Sequence, residues 1–328
     1  MTQRRTVGVA GAGAWGVALA NAAAAAGRAV VLWGRDADGM RALQASRASP
    51  KLPGVRLLAA VEATADMGRL DGCEAILVAV PAQATRAAAG LLANLSGSAP
   101  LVACAKGVER GSHAFMTTVL REAAPKRAAA ILSGPSFAAD VAAGLPTAVT
   151  LAAQDEALAR SLCDLLHGPN LRLYHSTDVR GAEIGGAAKN VLAIACGVAA
   201  GRGLGASAGA ALIARGFAEL RRFGEAFGAR PTTLMGLSGL GDLVLTCSST
   251  QSRNFAFGFA IGRGETVAQA RERRLAEGAF TALALTEMAR AKGVDMPIAD
   301  CVESLIEGAL DVEGATAALL GRPQKGEE

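Results

Sequence analysis

Thr6-Val7-Gly8-Val9-Ala10-Gly11-Ala12-Gly13-Ala14-Trp15-Gly16 decides the fold of this 328-residue chain. Its first five residues read as a buried strand, its three spaced glycines as a G-x-G-x-x-G turn, and the alanine-rich run Ala14–Ala26 as a helix. A second apolar strand, Ala29-Val30-Val31-Leu32-Trp33, follows at once. Glycine-rich turns are common, so the weight lies in the order strand, turn, helix, strand. In that order each glycine has a physical task. Gly11 permits the tight turn, Gly13 lets the backbone approach a pyrophosphate, and Gly16 lets the helix pack on the strand. The free N–H groups of the helix N-terminus then face the phosphate charge. The pattern predicts a dinucleotide site.

The end of the second strand bears on which dinucleotide. Sites specific for NAD usually place Asp or Glu there to bond the ribose 2′-OH. Here the chain reads Gly34-Arg35, and a guanidinium favours an additional 2′-phosphate. The expectation is NADP(H), with Asp36 next in the chain able to serve NAD(H).

Working outward, the first half alternates apolar runs with helical stretches. Strands are expected at Thr6–Ala10, Arg28–Trp33, Glu74–Val80, Pro100–Ala105, Ala129–Leu132, Thr147–Ala152 and Leu171–Tyr174. Helices are expected at Ala14–Ala26, Gln83–Ala93, Ala114–Glu122 and Asp155–His167. Such alternation predicts an α/β fold with a mostly parallel, doubly wound sheet. From about Asp178 the texture becomes helical with almost no strand candidates. Two domains are therefore expected, a Rossmann-type dinucleotide-binding domain over 1–180 and an all-α substrate-binding domain over 181–328. With no Pro/Gly/Ser linker between them, one long helix is expected to make the join. Arg322–Glu328 reads as a frayed tail.

Composition excludes several classes. A chain that is 51% hydrophobic can bury a large core. Net charge is only +4 and aromatic content only 4%, leaving little material for base stacking, so no nucleic-acid partner is expected. A small positive excess suits an anionic substrate. Arg4-Arg5 and the small residues after them resemble a secretion signal, but three glycines and Asn21 break the hydrophobic run, and cleavage would delete the first strand. No uninterrupted apolar run of membrane-spanning length follows, and a cytoplasmic location is expected. The six cysteines have neither a C-x-x-C pair nor a histidine cluster beside them, so they are read as reduced, mostly buried thiols with no metal.

Gly181-Ala182-Glu183-Ile184-Gly185-Gly186-Ala187-Ala188-Lys189-Asn190-Val191-Leu192 is the second informative stretch. Ile184, Ala188, Val191, Ala195 and Val198 form a core-facing stripe, and Lys189 lies off it. Gly185 and Gly186 sit one turn earlier on the lysine's side, each costing a helix about 1 kcal/mol relative to alanine. Two readings follow: close helix packing beside a solvated lysine, or a lysine beside bound nicotinamide with small neighbours that admit a substrate. Downstream, Asp242 stands alone among small and apolar residues, and a buried carboxylate needs a cation. Arg253-Asn254 suits a phosphate, the arginine by its bidentate fork and the asparagine by its amide.

Together these motifs closely resemble the bacterial-type NAD(P)-dependent glycerol-3-phosphate dehydrogenase family over nearly the whole chain. They include the G-x-G-x-W-G turn, Val80-Pro81-Ala82-Gln83, Lys106-Gly107, Ser133-Gly134-Pro135-Ser136-Phe137-Ala138 and Lys189-Asn190. Gly239-Leu240-Gly241-Asp242-Leu243, Ser252-Arg253-Asn254 and Glu277-Gly278 complete the set. The resemblance implies a Rossmann domain, a helical domain and an active site between them. The implied reaction is reversible reduction of dihydroxyacetone phosphate to sn-glycerol 3-phosphate for phospholipid synthesis. It implies Lys189 as proton donor and acceptor, oriented by Asp242 with support from Thr246 and Asn190. It implies substrate contacts from Lys106, Gly134, Ser136, Asp242, Ser252, Arg253 and Asn254. Cofactor contacts fall on Ala14, Trp15, Arg35, Lys106, Ala138, Arg253, Leu275 and Glu277, besides Gly11, Gly13 and Gly16. A homodimer fits the resemblance, although no apolar stripe marks an interface.

The chain departs from the family at Ala14, where relatives carry serine, and at Gly205-Ala206-Ser207-Ala208, where they carry asparagine. Lysine-dependent β-hydroxyacid dehydrogenases share a related pattern, G-x-x-G-x-x-x-K-x-x-N, which fails here twice: the glycine before Gly185 is Gly181, four residues away, and no asparagine stands at the last position. A histidine-based mechanism would need His113, His167 or His175, all in ordinary loop or helix-end contexts. A cofactor-sensing protein without catalysis is the alternative from another class; retention of Lys189, Asp242 and Arg253 together argues against it.

Overall fold

Short runs of Val, Leu, Ile and Ala in the first half pair into one sheet. The computed structural model of the protein describes residues 5–273 and 276–320. In chain order the elements are β1 (Thr6–Ala10), α1 (Ala14–Ala25), β2 (Ala29–Trp33), α2 (Ala37–Ser46), β3 (Val61–Thr64), β4 (Ala75–Val78) and α3 (Thr85–Leu92). Then come β5 (Leu101–Ala103), α4 (Met116–Ala123), β6 (Ala129–Ser133), α5 (Ala138–Ala142), β7 (Thr147–Ala153), α6 (Glu156–Leu166) and β8 (Leu171–Ser176).

The strand order is β3-β2-β1-β4-β5-β6-β7-β8. Neighbours are parallel except β6 and β7. β1 lies between β2 and β4, with Val7 opposite both Val30 and Ala75. At that point the winding reverses, so the loops leaving β1 and β4 diverge and open the crevice in which such sheets bind ligands. Successive residues alternate between faces. Val7, Val9, Leu32 and Leu77 enter one apolar core. Ala10, Val31, Ile76 and Val78 enter the other. A parallel sheet covered on both faces has this composition.

The structure corrects the expected elements in places. The edge strand β3 and helices α2 and α5 were not foreseen. β3 buries only Val61 and Ala63, and α2 buries only Met40 and Leu43, too few apolar residues for a legible period. β4 and β5 also end two residues earlier than expected, because the ladder stops where Ala10 meets Val78 and Val78 meets Ala103.

The remaining elements are helices: α7 (Val179–Gly201), α8 (Gly205–Ala226), α9 (Pro231–Leu234), α10 (Asp242–Cys247), α11 (Arg253–Gly262), α12 (Val267–Arg273), α13 (Glu277–Ala291), α14 (Pro297–Glu307) and α15 (Val312–Leu320). The fold is thus a Rossmann-type doubly wound sheet plus a helical C-terminal part. The chain divides into two compact units after Glu183, within α7. By length and composition α7 could cross a membrane, yet 94% of its apolar window is buried in the protein, which marks a core helix. It is buried continuously from Gly181 to Ala199, so Lys189 is 5% exposed and not the solvated residue that an amphipathic stripe implies.

In the C-terminal unit α7 packs closely on α11. A Cβ at Gly197 would lie 2.2 Å from Phe255 O, and one at Gly258 2.1 Å from Ile194 O. Glycines thus bring the helix that carries Arg253 and Asn254 against the helix that carries Lys189.

Candidate active site

In the N-terminal unit, α1 begins directly off the carboxyl end of β1. Gly11 has φ +123°, a conformation open to glycine, and any Cβ there would lie 2.5 Å from Ala79 O. A Cβ on Gly16 would lie 1.8 Å from Gly11 O, so the turn closes only with glycine at both positions. Around Gly13, by contrast, there is open space. Gly13 caps α1 through its backbone, with no side-chain cap and no acidic residue in the first turn. The first N–H groups of the helix therefore lack intrahelical partners and meet no negative charge. Trp15 Nε1 is a further buried donor without a partner. These features fit a dinucleotide pyrophosphate, with Ala14 and Trp15 in the first turn.

Arg35, at the end of β2, is exposed and has no ion-pair or hydrogen-bond partner among the described residues. Asp36 is committed elsewhere: its Oδ1 accepts the Gly39 N–H (3.1 Å) as the N-cap of α2. The carboxylate that could have served a 2′-OH thus holds a helix, while the guanidinium stays available.

Lys106 and Ser136 converge on one carbonyl. Lys106 Nζ donates to Gly134 O at 2.8 Å, and Ser136 Oγ donates to the same oxygen at 3.0 Å. Gly134 adopts φ +146°, and a Cβ there would lie 2.9 Å from Val149 Cα. Close packing of this loop on β7 sets the position of that oxygen. Ala138 opens α5 just beyond, half-buried.

In the C-terminal unit the central feature is a buried ion pair. Lys189 Nζ donates to Asp242 Oδ1 and, at 2.7 Å, to Thr246 Oγ1. Thr246 Oγ1 in turn lies 3.4 Å from Asp242 Oδ1. Asp242 and Thr246 lie one turn apart on α10, so both reach the same ammonium. Asp242 is 0% and Thr246 3% exposed. Taking two charges out of water costs several kcal/mol per ion before their attraction offsets it. An arrangement so costly is a functional candidate on physical grounds.

Gly185 shows why α7 and α10 lie in register. A Cβ there would sit 2.0 Å from Ser238 O and 2.9 Å from Gly239 Cα. Gly185 is therefore a packing glycine against the π-turn Leu237–Gly241 that leads into α10, and does not open room for a substrate. Behind Thr246, Cys247 hydrogen-bonds Cys196, and that bond together with burial holds the Cys247 thiol well above the ordinary range. It stays protonated and unreactive. All six cysteines are buried free thiols.

Ser252, Arg253 and Asn254 are adjacent but differently employed. Ser252 Oγ accepts the Phe255 N–H (3.2 Å) as the N-cap of α11. Arg253 is exposed and lacks a partner among the described residues. Asn254 is buried, with Nδ2 donating to Asn190 Oδ1 (2.9 Å) and Oδ1 accepting the Gly278 N–H (2.8 Å). Of the expected Arg-Asn phosphate pair, the arginine is thus exposed and, among the described residues, unpaired, and the asparagine is buried with its carbonyl and one N–H engaged. Glu277, half-buried, opens α13. Leu275 lies outside the described residues, as does the tail Arg322–Glu328. His167 and His175 are exposed and His113 half-buried, remote in sequence from this cluster.

Sequence reasoning gave Gly278 no role of its own. Its signal is a glycine at the second position of a helix, where alanine would form the helix better.

Comparison with known proteins agrees over both units. Residues 6–159 match the family described as NAD-dependent glycerol-3-phosphate dehydrogenase N-terminus, and residues 178–317 its C-terminus. A glycerol-3-phosphate dehydrogenase [NAD(P)+] of Azorhizobium caulinodans is 60% identical over 323 residues, covering 98% of each chain. One of Rhodopseudomonas palustris is 57% identical over the full length of both. Among solved structures, glycerol-3-phosphate dehydrogenase of Coxiella burnetii superposes with a TM-score of 0.92 at 35% identity, over 97% of this chain and 99% of that one. The Plasmodium falciparum enzyme, 18% identical with a TM-score of 0.86 over 98% and 97%, shares the fold. With both halves matched and full-length relatives at such identity, this chain belongs to the NAD-dependent glycerol-3-phosphate dehydrogenase family.

Proposed function

We propose that the protein catalyses the reversible NAD(P)H-dependent reduction of dihydroxyacetone phosphate to sn-glycerol 3-phosphate, with NADPH preferred. The buried Lys189–Asp242–Thr246 cluster carries this reading, because it presents a proton-exchanging amine locked in one orientation. Residues 1–180 serve as the cofactor-binding domain and 181–328 as the substrate-binding domain. We place the enzyme in the cytoplasm, supplying phospholipid synthesis, and assign it a homodimer.

Gly11, Gly13, Gly16, Ala14 and Trp15 hold the cofactor pyrophosphate at the α1 N-terminus. Arg35 meets a 2′-phosphate, and Lys106, Ala138, Arg253, Leu275 and Glu277 complete the cofactor contacts. When bound, the reduced nicotinamide supplies a hydride to C2 of the substrate. Lys189 gives a proton to the C2 oxygen as negative charge develops there, and takes it back in the reverse direction. Asp242 and Thr246 fix the direction of the ammonium. Asn190, next to Lys189, completes the polar wall. Arg253 binds the substrate phosphate, with Lys106, Gly134, Ser136, Ser252 and Asn254 as the neighbouring contacts. Lys106 adds positive charge that stabilises the alkoxide.

The test is a steady-state assay of dihydroxyacetone phosphate reduction with NADPH and NADH in parallel. Turnover with the higher kcat/KM for NADPH is expected. A protein that binds NADPH without oxidising it would be a cofactor sensor, and the catalytic reading would fail.

A further inference from the structure

Asn190, Asn254 and Gly278 meet in the interior of the C-terminal unit, and each directly follows a residue with a proposed role: Lys189, Arg253 and Glu277. The Asn254 side chain works at both ends, donating to Asn190 and accepting from the Gly278 N–H. Asn190 is 5% and Asn254 8% exposed, so water does not readily replace these bonds. The Gly278 N–H belongs to the first turn of α13, where no intrahelical acceptor exists. α13 has no side-chain cap of its own. Asn254 therefore satisfies that end from a different helix. The approach excludes any larger residue, since a Cβ at 278 would lie 2.4 Å from Asn190 O and 3.0 Å from Asn254 Oδ1.

We infer that Asn254 is a positioning residue that clamps the N-terminus of α13, and with it Glu277, onto the part of α7 that carries Lys189. Cofactor affinity and proton delivery then depend on one shared link. The inference rests on the roles proposed above for Lys189 and Glu277. The clamp uses the Asn254 carbonyl and one of its two N–H groups, so the remaining N–H is left for the substrate contact proposed above.

The test uses full-length Asn254→Leu, close in shape to asparagine, and Gly278→Ala, with Gly209→Ala on α8, where a Cβ meets nothing within 4 Å, as the control. NADPH affinity is titrated without substrate, alongside melting temperature and kcat on both dihydroxyacetone phosphate and dihydroxyacetone. Asn254→Leu and Gly278→Ala should each weaken NADPH binding about tenfold, the effect of one buried hydrogen bond. Each should lower kcat about 10²-fold on both substrates, as a displacement near 1 Å does, and for Gly278→Ala, which removes no substrate contact, the two losses should be equal. Gly209→Ala should hold NADPH affinity and kcat within about threefold of wild type. A loss confined to KM for dihydroxyacetone phosphate, with NADPH affinity unchanged, would make Asn254 a phosphate ligand and overturn the clamp. A lowered melting temperature with unchanged affinity and kcat would also overturn it. If Asn254→Leu does not fold, Gly278→Ala against Gly209→Ala decides the same question. If the wild type binds NADPH but does not turn over, the proposed reaction fails and the affinity measurements alone judge the clamp.

Discussion

Gly185→Ala tests whether the glycines before Lys189 make room for a substrate or for the protein itself. In a free helix the substitution should stabilise by about 1 kcal/mol. Here the new Cβ would lie 2.0 Å from Ser238 O and 2.6 Å from Ser238 C, both backbone atoms that no side-chain rotation removes. Reaching an ordinary contact near 3.5 Å requires α7 and the 237–241 turn to part by roughly 1.5 Å. Overpacking of this kind costs about 1–3 kcal/mol, and rigid backbone on both sides places this case at the upper end. The net loss is about 2 kcal/mol, or a fall in melting temperature of roughly 4–8 °C for a unit of this size. Because Lys189 lies one turn beyond and Asp242 four residues after Ser238, the same movement stretches the Lys189–Asp242 contact. A 1 Å misplacement costs about 10²-fold in rate. Gly209→Ala on α8, where a Cβ meets nothing within 4 Å, is the control and should stabilise by up to about 1 kcal/mol. Melting curves and kcat on dihydroxyacetone phosphate decide the matter. Equal stability gains at positions 185 and 209, with kcat intact at 185, would refute the packing argument.

Lys189→Ala should lower single-turnover hydride transfer by at least about 10²-fold in folded, NADPH-bound protein, and Lys189→Arg should not restore it, since a guanidinium does not release its proton. A rate within tenfold of wild type would move the acid/base role elsewhere. Arg35→Ala should reduce the NADPH/NADH ratio of kcat/KM by about tenfold or more, the worth of a charged hydrogen bond; an unchanged ratio would remove Arg35 from cofactor choice. Arg253→Ala should cripple reduction of dihydroxyacetone phosphate and spare that of dihydroxyacetone, whereas equal losses would sink its phosphate role. Glu183 accepts the Thr117 N–H and pairs with Arg180, but burial outweighs both and raises its carboxyl above the usual 4.5. A group that binds its proton more tightly when folded adds stability below its unfolded pKa and loses it as pH rises through the raised value. The melting temperature of wild type relative to Glu183→Gln should therefore fall as pH rises above about 4.5, and a difference that widens with pH would contradict the assignment.

Local order was enough to read the nucleotide end of this protein. Gly11, Gly13 and Gly16 act within one turn of chain, and the strand before them and the helix after them are adjacent in sequence, so their geometry follows from backbone sterics. The long joining helix was legible for the same reason, as an unbroken run of helix-compatible residues. Elements with few buried residues, such as β3 and α2, left no period to read and became definite only against their neighbours. The candidate site shows the same division. That Lys189, Asp242 and Arg253 are unusual residues could be seen along the chain. That Lys189 is buried, that its partners are Asp242 and Thr246 more than fifty residues away, and that Gly185 abuts Ser238 were decided by tertiary packing. Asn254 makes the contrast sharpest, because its adjacency to Arg253 says nothing of its distant partners, and on a helix consecutive residues point about 100° apart. Once α7, α11 and α13 were packed, the arginine faced outward and the asparagine joined helices whose contact residues lie 64 and 24 positions away.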